Sequence, residues 1–162
     1  MNNTKKITML AMGIALYVVL AATVKIPLIG HIQTDLGYVA FGAFCVLFGW
    51  IGAVVGVFGC LIESLLFSGW IPVGWMLGQV AIGVLCGICY KKTQNRVIRL
   101  LVTILAVFIG VAVIKTAIEC ALYSIPVQIK FTKNCVAFVA DTIPMILGLV
   151  IGERLKPMLE VE

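Results

Sequence analysis

The chain of 162 residues has the length of a single domain, yet 62% of it is hydrophobic, 12% is charged and the mean hydropathy is +1.17. A water-soluble domain carries about 45–50% apolar and about 25% charged residues, and one of this size could not hide the excess, so the protein belongs in a lipid bilayer. The net charge of +5 comes without a basic cluster interleaved with aromatics, which excludes nucleic acid as a partner.

The first apolar run, Ile7 to Ile26, reaches the ~20 residues that a spanning helix needs and exceeds a signal-peptide core, so it reads as a retained helix. Within it, "LAMGIALYVVLAA" sets Ala11, Ala15 and Ala22 on one face amid bulky Leu, Val and Tyr. Lipid supplies little hydrophobic drive for helices to meet, so a shallow stripe marks close approach by another helix. The stripe serves either a separate protein or packing within the chain, where Gly13 would help.

A mixed segment, "PLIGHIQTD", follows with His31, Gln33 and Asp35. A lone histidine does not make a metal site. The segment is either a solvated connector or a lid over a pocket. Five further apolar segments run over 36–48, 50–67, 72–90, 98–123 and 134–152, parted by "FGWIG", "SGWIP", "KKTQNR" and "SIPVQIKFTK". The second of the six is short for a span. The expected fold is all-α: one integral membrane domain over 1–162, a compact bundle of six transmembrane helices.

Lys5, Lys6, Lys91, Lys92, Arg96, Arg99, Arg154 and Lys156 fall on one side of such a bundle, and Lys25, Lys130 and Lys133 on the other. The excess of positive charge sets N-in, C-in. Trp70, Trp75 and Tyr123 read as interfacial anchors on the outer side. Cys45, Cys60, Cys86, Cys89, Cys120 and Cys135 all lie in or beside apolar runs and read as small buried hydrophobes, "CGIC" included.

Ionisable groups at membrane depth are expensive and face a bundle interior or a cavity. Here they are Lys25, Glu63, Lys115, Glu119 and Asp141. Lys25 either snorkels to the interface or meets a ligand. Lys115 and Glu119 share a helix face at i,i+4, as a neutral pair or as ligand groups. Asp141 lies in "VADTIP", where Pro144 frees the Ala140 carbonyl. Gln79 and Asn134 are neutral groups able to orient a ligand. There is no GxSxG and no HExxH, and "GVAVIKT" lacks the glycine that a phosphate loop needs before lysine, so the chain is neither an enzyme nor an ATPase and needs no cofactor.

Four features in order carry a family resemblance: AxxxA at Ala11 and Ala15, a loop entering "LGYVAFGAFCVLFG", the glycine-rich "GAVVGVFGCLIESLLFSG" with its late acidic residue, and "GQVAIGVLCGICYKK" before a basic loop. Together they resemble an S-component of the energy-coupling factor (ECF) transporters, the small membrane subunits that bind vitamins. Trp50 stands where many members carry proline. The resemblance implies a prokaryotic plasma-membrane protein whose first helix, through Ala11, Ala15 and Ala22, docks on a T-component joined to two ATPase subunits. It further implies an outward pocket capped by 27–35, with His31, Gln33, Asp35, Glu63, Gln79, Lys115, Glu119, Asn134 and Asp141 as substrate-binding candidates, and delivery by toppling of the whole subunit. Residue chemistry keeps two other classes open: a stand-alone carrier or channel with a Lys115, Glu119 and Asp141 relay, and a ligand-free assembly protein.

Overall fold

A computed structural model describes residues 3–23, 25–27 and 33–160. Helix α1 spans Asn3–Thr23, and β1 (Lys25–Pro27) pairs antiparallel with β2 (Gln33–Asp35), Lys25 standing opposite Asp35. Then come α2 (Gly37–Phe48), a 3₁₀ turn (Gly49–Gly52), α3 (Ala53–Phe67), α4 (Val73–Lys92) and α5 (Arg96–Val107). A π-helical segment (Phe108–Lys115) joins α5 to α6 (Thr116–Tyr123), and α7 (Val127–Glu160) ends the order.

The all-α expectation holds apart from the short hairpin. Among the described residues five helical stretches are long and apolar enough to cross a membrane, and the segments 36–48 and 50–67 of the six expected fall in one of them, Gly37–Phe67. A 12-residue α2 rises only ~18 Å against a hydrocarbon core of ~30 Å. Gly49, at φ 65°, supplies the backbone that only glycine adopts freely, and Gly37 and Gly59 both back onto the Tyr17 ring. The chain therefore doubles back at the turn.

Local chemistry sets the ends of several helices. The Asn95 side chain accepts the Val97 N–H at 2.9 Å and caps α5, while Lys91 and Lys92 close α4 against its carbonyl end. Ser124, in the left-handed region, stops α6 two residues before Pro126. Helix α7 continues through both Pro144 and Pro157.

Helices meet here by backbone approach rather than by bulk. Helix α2 packs most extensively on α7, along a seam where a Cβ at Gly42 would lie 2.6 Å from the Met145 carbonyl and one at Gly152 would lie 2.8 Å from the Ala43 carbonyl. Gly78 on α4 similarly seats against Gly110 in the π segment. Small residues at such crossings are how membrane helices gain contact. The core between them is apolar, centred on Tyr17, Phe41, Ile82, Val107, Met145 and Leu149. Its polar residues collect at the two ends of the bundle, one beneath the hairpin and one among the basic residues.

Candidate functional site

At the hairpin end, the π segment ends on Lys115 and α6 begins at once with Thr116 and Glu119. π-Helical insertions are often found at functional sites, because the extra residue per turn re-aims the side chains around it. Lys115 is 6% exposed and its Nζ donates to Asn134 Oδ1 of α7 at 2.7 Å, while Asn134 Nδ2 donates to Thr116 Oγ1 at 2.9 Å. The same ammonium lies 3.7 Å from the centroid of the Trp75 ring on α4, a cation–π contact strengthened by desolvation. The expected i,i+4 pair with Glu119 is present but long, at 3.9 Å, and Glu119 has a nearer partner in Lys130 at 3.2 Å. Trp75 is thus half-buried beneath Lys115 instead of serving as an interfacial anchor. Trp70 and Tyr123 do sit exposed, ring on ring at 5.9 Å.

Three more groups enter from other helices. Asp141 (α7), Gln79 (α4) and Tyr38 (α2) are each 1% exposed or less. Among the described residues the Asp141 Oδ2, the Gln79 Oε1 and the Tyr38 hydroxyl have no hydrogen-bond partner within 3.5 Å. Buried polar atoms without partners carry a desolvation penalty of about 1–3 kcal/mol each. Tyr38 also meets Trp75 edge-on at 6.5 Å, so the lysine cluster and these groups form one polar region. Beside it a cavity of about 130 Å³ opens between Ala21, Asp35, Cys60, Glu63, Ser64 and Trp75.

Of the residues singled out from sequence, Lys115, Glu119, Asn134, Asp141 and Gln79 come together as buried groups at this end, and Glu63 lines the adjacent cavity, half-buried, with Ser64 Oγ 3.5 Å from its Oε2. Asp35 is also here, but both its carboxylate oxygens are engaged: Tyr17 donates to Oδ2 at 2.6 Å and the Gly37 N–H to Oδ1 at 2.7 Å. Gln33 lies in β2 opposite Pro27, and Lys25 in β1 opposite Asp35. His31 lies outside the described residues. Tyr17, Tyr38, Trp75, Thr116 and Lys130 went unmarked as site residues in sequence, because aromatics in apolar helices read as core or interface.

On α1, Ala11 and Ala15 are exposed, next to Met12, Leu16 and Val19, whereas Ala22 is half-buried. Gly13 is buried against Phe44, so its smallness is used inside the bundle. Gly13, Tyr17 and Ala21 form the opposite, buried face of the helix.

The fold is that of a multi-pass helical membrane bundle that buries both signs of charge at one end of an apolar core. The model of the family described as "ECF-type riboflavin transporter, S component" matches residues 1–159, and the chain belongs to that family. It is accordingly a vitamin-binding transport subunit and not an enzyme. Among solved structures, the 2.1 Å crystal structure of the S-component for biotin from an ECF-type ABC transporter has the same fold. Its TM-score is 0.66 at 21% identity, over 97% of this chain and 95% of that one. No curated protein matches the sequence.

Proposed function

We propose that the chain captures its vitamin from outside the cell in the polar region under the hairpin and delivers it once docked on a T-component and its ATPases. The observation that carries this is the cluster of Lys115, Trp75, Asn134 and Asp141, a buried group of charges and unmet acceptors at the hairpin end of an apolar core. Such groups at membrane depth are retained where they meet something polar. The ligand to test first is riboflavin, after the family. Its planar, hydrogen-bonding ring system suits a site walled by Trp75 and Tyr38 and edged by Lys115, Asn134, Gln79 and Asp141, with Glu63, Glu119 and Asp35 nearby.

In this scheme the chain sits in a prokaryotic plasma membrane, N-terminus and C-terminus inside, with α2 and α3 as a helical hairpin. Ala11 and Ala15, with Ala22 at the margin, form the seat for the T-component. The bundle topples as a unit to turn the pocket inward, and the ATPases supply the energy, since the chain has no element that converts any. Purified protein in nanodiscs should bind riboflavin saturably. Occupancy at 100 times Kd adds about 2.7 kcal/mol of stability, read as a rise in melting temperature. Ala11→Trp with Ala15→Trp should abolish co-purification with the T-component and leave riboflavin affinity unchanged. Transport at the wild-type rate by that double variant would rule out the docking seat, and absence of any riboflavin-induced shift would rule out the ligand.

A further inference from the structure

Helix α1 has two working faces. Its exposed side carries Ala11 and Ala15, and its buried side carries Tyr17, which is fully enclosed. At 100° per residue Tyr17 points away from both alanines. The Tyr17 ring is held between two glycines of other helices: a Cβ at Gly37 would lie 2.6 Å from it, and one at Gly59 would lie 2.5 Å from it. Its hydroxyl is a branch point, donating to Asp35 Oδ2 at 2.6 Å and facing Gln79 Nε2 at 3.4 Å. Asp35 in turn closes β2 and accepts the first N–H of α2 at 2.7 Å, so one carboxylate ties the end of the hairpin to α1 and α2 together. The cavity beside the lysine cluster is lined by this same Asp35 and by Thr34.

We infer that Tyr17 is a positioning residue through which α1 sets the pocket mouth: its hydroxyl holds Asp35, and with it strand β2, so that a displacement of α1 on its docking face is delivered to the mouth and to Gln79. The inference rests on the docking proposed above and gives that surface a line of action on the ligand site. The wedge of the ring between Gly37 and Gly59 makes the transfer direct, because α1 cannot shift without carrying the hydroxyl along. The bond to a carboxylate is charge-assisted, which makes it the strongest tie between α1 and the hairpin strand.

The test separates hydroxyl from ring. Tyr17→Phe keeps the wedge and removes only the tie, with Tyr38→Phe as the control for loss of a buried but unbonded hydroxyl. Hydrogen exchange at the Thr34–Gly37 amides is read in ligand-free protein in nanodiscs, alone and docked on the T-component with its ATPases. Tyr17→Phe should exchange about tenfold faster than wild type when undocked, the size of one lost charge-assisted bond, with Tyr38→Phe unchanged. Docking should accelerate exchange in the wild type and add nothing in Tyr17→Phe. Exchange at the wild-type rate in undocked Tyr17→Phe, or an equal acceleration by docking in both proteins, would overturn the inference. Failure of the wild type to dock would instead remove the docking seat, and failure to bind riboflavin would remove the ligand. The undocked exchange rates decide the role of Tyr17 in either case.

Discussion

Among the described residues the bundle buries one cation near each end, and the two are treated differently. At the basic end Arg99, 5% exposed, uses four of its five donors: Nε donates to the Thr93 carbonyl at 2.6 Å, Nη2 to the Tyr90 carbonyl at 2.9 Å and to Gln94 at 3.3 Å, and Nη1 to Glu153 at 2.9 Å. Even its own carbonyl is bonded, by Thr103 Oγ1 at 2.7 Å, and the Tyr90 hydroxyl bonds Thr103 in turn. At the hairpin end Lys115 has, among the described residues, one hydrogen bond, a ring face and a long ion pair, and its neighbours Asp141, Gln79 and Tyr38 keep atoms with no partner there. A polar network with nearly every valence met is a fastening. One with valences left over is a site that a ligand completes.

That contrast can be broken by substitution. The largest effect belongs to Arg99→Ala, which leaves Glu153 only its longer contact with Arg96 at 3.6 Å and takes the donor from the Thr93 and Tyr90 carbonyls at once. Breaking a buried pair from one side costs about 3–5 kcal/mol, so unfolding in detergent should come far earlier, while the surviving fraction binds riboflavin with unaltered affinity. Next is Lys115→Met. Its stability should fall by only about 1–3 kcal/mol, the cost of leaving the buried Asn134 acceptor unpaired, and its affinity should fall about ten- to a hundredfold, the worth of one charge-assisted hydrogen bond, measured by fluorescence titration. An Arg99 variant that loses affinity but not stability, or a Lys115 variant that does the reverse, would invert the assignment of the two ends. The smallest effect is that of Lys130→Gln, whose partner Glu119 keeps Lys115 nearby. With its side chain a quarter exposed, this pair contributes about 0.2–1 kcal/mol, visible as a slightly weaker salt dependence of binding.

Much of this was legible from residue order, for physical reasons that also mark where it stopped. Composition fixes the bilayer as solvent, and ionisable side chains in apolar runs stand out, so Lys115, Glu119 and Asp141 could be picked with no structure, and the neutral Gln79 and Asn134 with them. Their partners could not. Nothing in "FIGVAVIK" announces a π-helical stretch, since such insertions depend on tertiary packing rather than on a residue signal, and an i,i+4 rule drawn for an α-helix overstates the Lys115–Glu119 pair. Trp75 near a helix start looks like an interfacial anchor until a lysine from another helix is seen above its ring. Asp35 looked like a free acid in a loop, and its real engagement, with a tyrosine 18 positions earlier, leaves no local pattern. Segments 36–48 and 50–67 part at "FGWIG", where the structure has its Gly49–Gly52 turn, although by length and composition the two make one stretch able to cross a membrane.

The glycine seam between α2 and α7 has a bearing on biogenesis. Helix α2 leaves the ribosome early, yet it is too short to be held by the bilayer alone, and the groove that receives its backbone is built from Gly148 and Gly152 in the last helix of the chain. Insertion of α2 must therefore stay provisional until α7 has been made, and a chain stopped before α7 would leave its second helix without its most extensive partner.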